Sequence, residues 1–124
     1  MEVQVFGVRK SAETRAALRF FAERRIPVHF VDLLERPASV GELRRFAQRF
    51  GVEALLDRSS RRFADLGLAH AGLSDERWME KLASEPLVLR MPLVRWGQRV
   101  TVGVADKDWR SWVEADRAGK GGAR

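Results

Sequence analysis

The sequence predicts an α/β domain that starts as β-α-β, continues through several helices and ends in a β-hairpin and a last helix. Three observations predict it. The apolar run Val3–Phe6 passes through Gly7, Arg9, Lys10 and Ser11 into a pattern of helical period. Helix-start signals then recur through the middle of the chain. Near the end, Gly97-Gln98 separates two extended runs, as in a two-residue hairpin. A length of 124 residues with 45% hydrophobic content suits one domain with one core.

Val3–Phe6 is apolar enough for a central strand. From Ala12 the period changes: Ala16, Ala17, Phe20 and Phe21 share one face, and Arg19, Glu23, Arg24 and Arg25 form a charged one. Ser11 is placed to cap this helix, and Pro27 to end it. Val28–Leu33 reads as a second strand, with Val28 and Phe30 on one face and His29, Val31 and Leu33 on the other. Ser39-Val40-Gly41-Glu42 has capping-box spacing before the apolar stripe Val40, Leu43, Phe46, Ala47 and Phe50, and Gly51 is placed to stop the helix. A short turn over Val52–Leu56 leads to the polar, basic loop 57–62, then to Phe63, Leu66 and Leu68 broken by Gly67. Ser74-Asp75-Glu76 opens a helix carrying Trp78, Met79 and Leu82, its acidic start suited to the helix dipole. Met91–Trp96 and Arg99–Val104 form the hairpin strands, the first with a proline near its start. Asp106 can cap a last helix bearing Trp109, Trp112 and Val113 at helical spacing. Trp96, Trp109 and Trp112 are expected in the core. The domain is expected to span residues 1–116, with 117–124 a flexible basic tail that has no large apolar residue to anchor it.

Composition excludes several chemistries. There is no cysteine, so the chain by itself has no disulfide, no thiolate metal ligand and no thiol redox chemistry. His29 and His70 have no carboxylate partners at evident metal-site spacing, so neither a metal nor a cofactor is expected. No apolar run approaches the roughly 18 to 20 residues of a membrane span, and Met1–Val5 lacks a basic segment followed by an apolar one. The expectation is a cytoplasmic protein without membrane contact. A net charge of +6 favours acidic partners or phosphate-bearing ligands, although a solvated arginine-rich surface explains it equally simply.

Several segments, in order, resemble the arsenate reductase and Spx family of the thioredoxin-like fold. They are the strand-to-helix start, Leu55-Leu56-Asp57-Arg58, Phe63–Leu68 with its Leu-Gly-Leu ending, Leu73–Glu76, and Glu85-Pro86-Leu87-Val88-Leu89-Arg90-Met91-Pro92-Leu93-Val94. The resemblance covers nearly the whole chain. It implies a small mixed four-stranded sheet flanked by helices, with Pro92 preceded by a cis peptide bond. It also shows what is missing. Ser11 stands at the family's cysteine position and Thr14 at the second cysteine of Spx-type members, while Arg15 is kept. The reductases place arginines where Met91 and Asp57 stand here, and Arg90 and Arg58 are each displaced by one residue. In extended chain that shift sends a side chain to the opposite face.

These departures bear on function. Arsenate reduction needs a thiolate nucleophile and cations around the oxyanion. Serine is a far weaker nucleophile, and no histidine lies near Ser11 in sequence, so Ser11 reads as a helix cap and no catalytic residue is assigned. A non-reactive anion site remains open at Arg9, Lys10, Ser11 and Arg15, around a helix N-terminus; the alternative is that Arg9 and Lys10 are plain turn residues. A second basic group, Arg49, Gly51, Arg58, Arg61 and Arg62, falls in the region through which Spx-type regulators touch RNA polymerase. It reads either as a partner surface for RNA polymerase or another acidic protein, or as a solvated face behind a helix stop. Direct nucleic-acid binding is not expected, because no aromatic residues interleave with the arginines. The resemblance thus implies a redox-silent pseudoenzyme working by protein contact, with transcription regulation through RNA polymerase as an expected role; the alternative is an enzyme that binds an oxyanion or glutathione and takes its thiol from another molecule.

Overall fold

A computed structural model describes residues 2 to 122, with side chains through residue 119. Strand β1 (Val3–Gly7) lies parallel to β2 (Val28–Asp32) and antiparallel to β3 (Leu93–Trp96), which pairs antiparallel with β4 (Arg99–Val102). The four-stranded order is β2-β1-β3-β4. Parallel β1 and β2 require a crossover, which α1 (Ala12–Glu23) supplies. β3 and β4 need only the Gly97-Gln98 turn, where Gly97 takes φ 66°. The sheet carries helices on both faces, as in thioredoxin-like proteins.

Strand alternation decides which side chains meet which helices. Val3, Val5, Val94 and Trp96 share one core with Ala17, Phe20 and Phe21 of α1 and Trp109, Trp112 and Val113 of α5 (Asp106–Gly122). Phe6, Val31 and Leu93 point the other way, into a core with Leu43 and Phe46 of α2 (Val40–Phe50), Phe63 of α3 (Arg61–Asp65) and Trp78, Met79 and Leu82 of α4 (Asp75–Ser84). All three tryptophans expected in the core are buried. The first core is aromatic and dense: the Trp109 ring lies 5.5 Å from Phe20 and 5.6 Å from Phe21. Its indole N–H donates to Thr101 Oγ1 at 2.8 Å, which satisfies two otherwise buried polar groups.

A serine starts each of the first four helices by accepting a backbone N–H bond: Ser11 from Thr14, Ser39 from Glu42, Ser60 from Phe63 and Ser74 from Arg77. At α2 the box is reciprocal, with Ser39 N–H donating to Glu42 Oε1 at 2.9 Å.

Besides one-residue differences at the ends of β1 and β2, four boundaries differ from the sequence reading. α1 stops at Glu23, before Pro27, because Arg25 turns with φ 60° and brings Ile26 back into the core. β3 begins at Leu93, after Pro92, which has no N–H to give a neighbouring strand. β4 ends at Val102, where Gly103 turns the chain with φ 74°. α5 continues to Gly122, past the domain boundary expected at residue 116, so the segment read as a tail begins in helical backbone. Residues 123 and 124 lie outside the described residues. Among the described residues no helix is long and apolar enough to cross a membrane.

Candidate functional site

The site begins at the junction of β1 and α1. Ser11 N–H donates to the Val8 carbonyl at 3.1 Å, closing a tight turn, and Ser11 Oγ accepts from Thr14 N–H at 3.1 Å. That is a helix cap. The same hydroxyl donates to Glu13 Oε2 at 3.3 Å. Glu13 is exposed, and a solvated carboxylate is a weak base for a serine hydroxyl at neutral pH. His29 and His70 are exposed elsewhere, on β2 and after α3, and neither lines the cleft beside Ser11. The arrangement caps a helix and provides no activated nucleophile. Thr14 is fully buried against Gly7, where an added Cβ would overlap its side chain, and its hydroxyl has no hydrogen-bond partner.

Opposite Ser11, two irregular segments are tied edge to edge. Leu56 and Leu89 form an isolated antiparallel bridge. Arg90 N–H donates to the Leu55 carbonyl and Asp57 N–H to the Val88 carbonyl, each at 2.8 Å. The Met91–Pro92 peptide bond, for which the resemblance implied cis geometry, is cis. Together with Ser11, these segments enclose an open cleft of about 1030 Å³.

The cations of the cleft are Lys10, Arg58, Arg61, Arg62 and Arg90. Arg58 pairs with Glu53 through two hydrogen bonds, one of 2.8 Å from Nη2, and Arg62 Nε donates to Glu85 at 2.8 Å. Hydrogen bonding holds the Glu53 and Glu85 carboxyls below the usual carboxylate range and raises both arginines. The Lys10, Arg61 and Arg90 side chains have no hydrogen-bond or ion-pair partner among the described residues. Arg90 rests on Gly103: a Cβ there would stand 3.2 Å from its Nε and 3.3 Å from Nη2. Asp57 also lines the cleft, its Oδ1 taken up by the backbone N–H and hydroxyl of Ser59 at 3.1 and 2.7 Å. Among the described residues no cluster of histidines and carboxylates could hold a metal ion.

The two basic groups read from sequence are thus divided and recombined. Lys10 and Ser11 share the cleft with Arg58, Arg61 and Arg62. Arg9 instead lies over the Phe30 ring, 4.7 Å from its centroid, and Arg15 donates to the Arg9 carbonyl at 2.7 Å. Arg49 and Gly51 sit at the far end of α2; Gly51 N–H closes that helix onto Ala47, and Arg49 lies over Phe50. Neither lines the cleft. The opposite-face expectation for Arg90 and Arg58 also does not hold. Both reach the cleft, because residues 57–58 and 90–91 are not regular strand and strict alternation does not apply there. Sequence reading missed Arg90 as a site residue; its position one residue before Met91 was the available signal.

A model of the ArsC family matches residues 6–112. An arsenate reductase of Neisseria meningitidis is 25% identical over 105 residues, which cover 82% of this chain and 90% of that one. An uncharacterized Bacillus subtilis protein, YusI, is 24% identical over 118 residues, 91% of this chain and all of its own length. Among solved structures, an arsenate reductase from Vibrio cholerae superposes with a TM-score of 0.76 at 24% identity, covering 87% of this chain and 94% of that one. The matched span takes in the β1–α1 junction, the bridged segments and the hairpin alike, and the chain belongs to the ArsC family.

Proposed function

We propose that this protein is a redox-silent ArsC-family domain that works by non-covalent contact, receiving an acidic group of a partner in the basic cleft beside Ser11. The observation that carries this reading is the set of cations without a partner among the described residues, Lys10, Arg61 and Arg90, around a position where a serine caps the helix. Charge of that kind steers and orients an acidic surface without covalent chemistry. The likeness to Spx-type regulators makes RNA polymerase the first partner to test. The test is capture of polymerase subunits from an extract by the wild-type protein, by Arg61→Ala/Arg90→Ala and by Ser11→Asp. The aspartate keeps the cap but adds a negative charge to the cleft. Retention by wild type and at least about fivefold less by both variants is the expected result; equal retention by all three removes the cleft from the interaction.

A second reading rests on the same cations and on the arsenate reductase relatives. In it the cleft binds an oxyanion or glutathione, and the thiol comes from another molecule. Thiol-dependent arsenate turnover by the purified protein, lost in Arg90→Ala, would establish it in place of the first.

A further inference from the structure

The cleft is not only basic. Among the described residues four large apolar side chains are conspicuously exposed, and two of them, Leu87 at 43% and Val104 at 49%, line it. Met91 and Leu89 extend the apolar wall, and Arg90 lies beside Val104 on Gly103. Apolar side chains held in water beside unpartnered cations mark a binding surface more strongly than either feature alone. An inorganic oxyanion would gain nothing from Leu87 and Val104 and would fill a small part of about 1030 Å³. A single-stranded nucleic acid would want stacking rings, and no aromatic residue lines the cleft.

We infer that the cleft holds a short peptide segment of a partner in which carboxylates flank one bulky apolar side chain. The carboxylates meet Lys10, Arg61 and Arg90, and the apolar side chain covers Leu87 and Val104. This rests on the contact reading above and names what the partner must present. Such a peptide uses both walls: charge complementarity brings it to the cleft and sets its direction, and the apolar side chain removes Leu87 and Val104 from water.

The test is fluorescence anisotropy with a short labelled peptide having glutamates on both sides of one leucine. Its leucine-to-alanine form, its glutamate-to-glutamine form and a labelled single-stranded oligonucleotide run in parallel. Leu87→Ser and Val104→Ser are exposed and should leave the circular dichroism melt unchanged. The double variant should bind the leucine peptide about tenfold more weakly and the alanine peptide as wild type does. Arg90→Ala should weaken both. Equal affinity for the leucine and alanine peptides overturns this inference and leaves the contact reading standing, since the charges then do the binding alone. Tighter binding of the oligonucleotide than of any peptide overturns it in favour of a phosphate backbone. No binding of any acidic probe overturns both readings.

Discussion

The α1–α5 face of the sheet and the cleft beside Ser11 differ in what they leave unsatisfied. Under α1 and α5, Trp109 has no exposed surface and even its N–H has a partner in Thr101. At the cleft, Lys10, Arg61 and Arg90 lack partners among the described residues, and the side chains of Leu87 and Val104 are exposed. The first region is closed to solvent at Trp109, while the second keeps its core residues Leu56 and Leu89 beneath an open rim. The second can therefore keep surplus charge and apolar surface, which cost the fold little at an exposed edge and are available to a partner. The lesson is that the exposed charges and apolar tips of the cleft can be substituted without touching the packed face, while Ser11 and Gly103 serve both.

The largest effect expected is on the packed side. Trp109→Ala should cost about 3–5 kcal/mol in urea unfolding, while Trp109→Phe should cost about 1–3 kcal/mol by stranding the Thr101 hydroxyl; loss of anion binding without loss of stability in either would contradict the division. Gly103→Ala joins the two regions. It forces a Cβ into a left-handed backbone, at a cost of about 1–2 kcal/mol, and crowds the Arg90 guanidinium. It should thus lower both the urea midpoint and acidic-peptide affinity, whereas Arg90→Ala should lower only affinity. Ser11→Ala should remove about 1 kcal/mol by uncapping α1, and Ser11→Asp should restore the melting temperature. Thr14→Val should move the other way, raising stability by about 0.5–1 kcal/mol by removing a buried hydroxyl without a partner.

The smallest effect is electrostatic. Arg36, Arg58 and Arg62 hold Glu42, Glu53 and Glu85 below their ordinary values, chiefly by hydrogen bonding. A carboxylate lowered in the folded state contributes stability above its unfolded pKa, about 4.3, and loses it as pH falls through the lowered value. The urea midpoint should hold level from neutrality to about pH 5 and decline below it. Molar salt should flatten that decline, since the pairs are largely exposed.

Much of the fold was legible because its signals are local. Ser39 and Glu42 lie three residues apart, the hairpin needs only its turn, and the helical stripes repeat within a few turns. Ser60 escaped notice as a cap because it stands in a basic loop that looks merely polar. The site was legible only in fragments. Lys10 and Ser11 on one side and Arg58, Arg61 and Arg62 on the other line one cleft, and the bridge between positions 56 and 89 that ties the second side to the segment carrying Arg90 is announced by no local pattern. Arg9 looked equivalent to Lys10, but its neighbour Phe30 comes from the adjacent strand, where its ring draws the guanidinium away. Arg90 was set aside by a rule for regular strands, in a stretch that is not one.

The Leu56–Leu89 bridge has a consequence for how such a site can change. The width of the cleft is fixed by peptide groups, which every residue but proline carries in full, while charge is delivered at the tips of long, jointed side chains. An arginine may therefore shift one position along either segment and still arrive. Ser11 suits its place because the helix behind it asks only for an oxygen acceptor. Frame and side-chain chemistry are thus separable here, so charges around the cleft can be changed while the opening keeps its width.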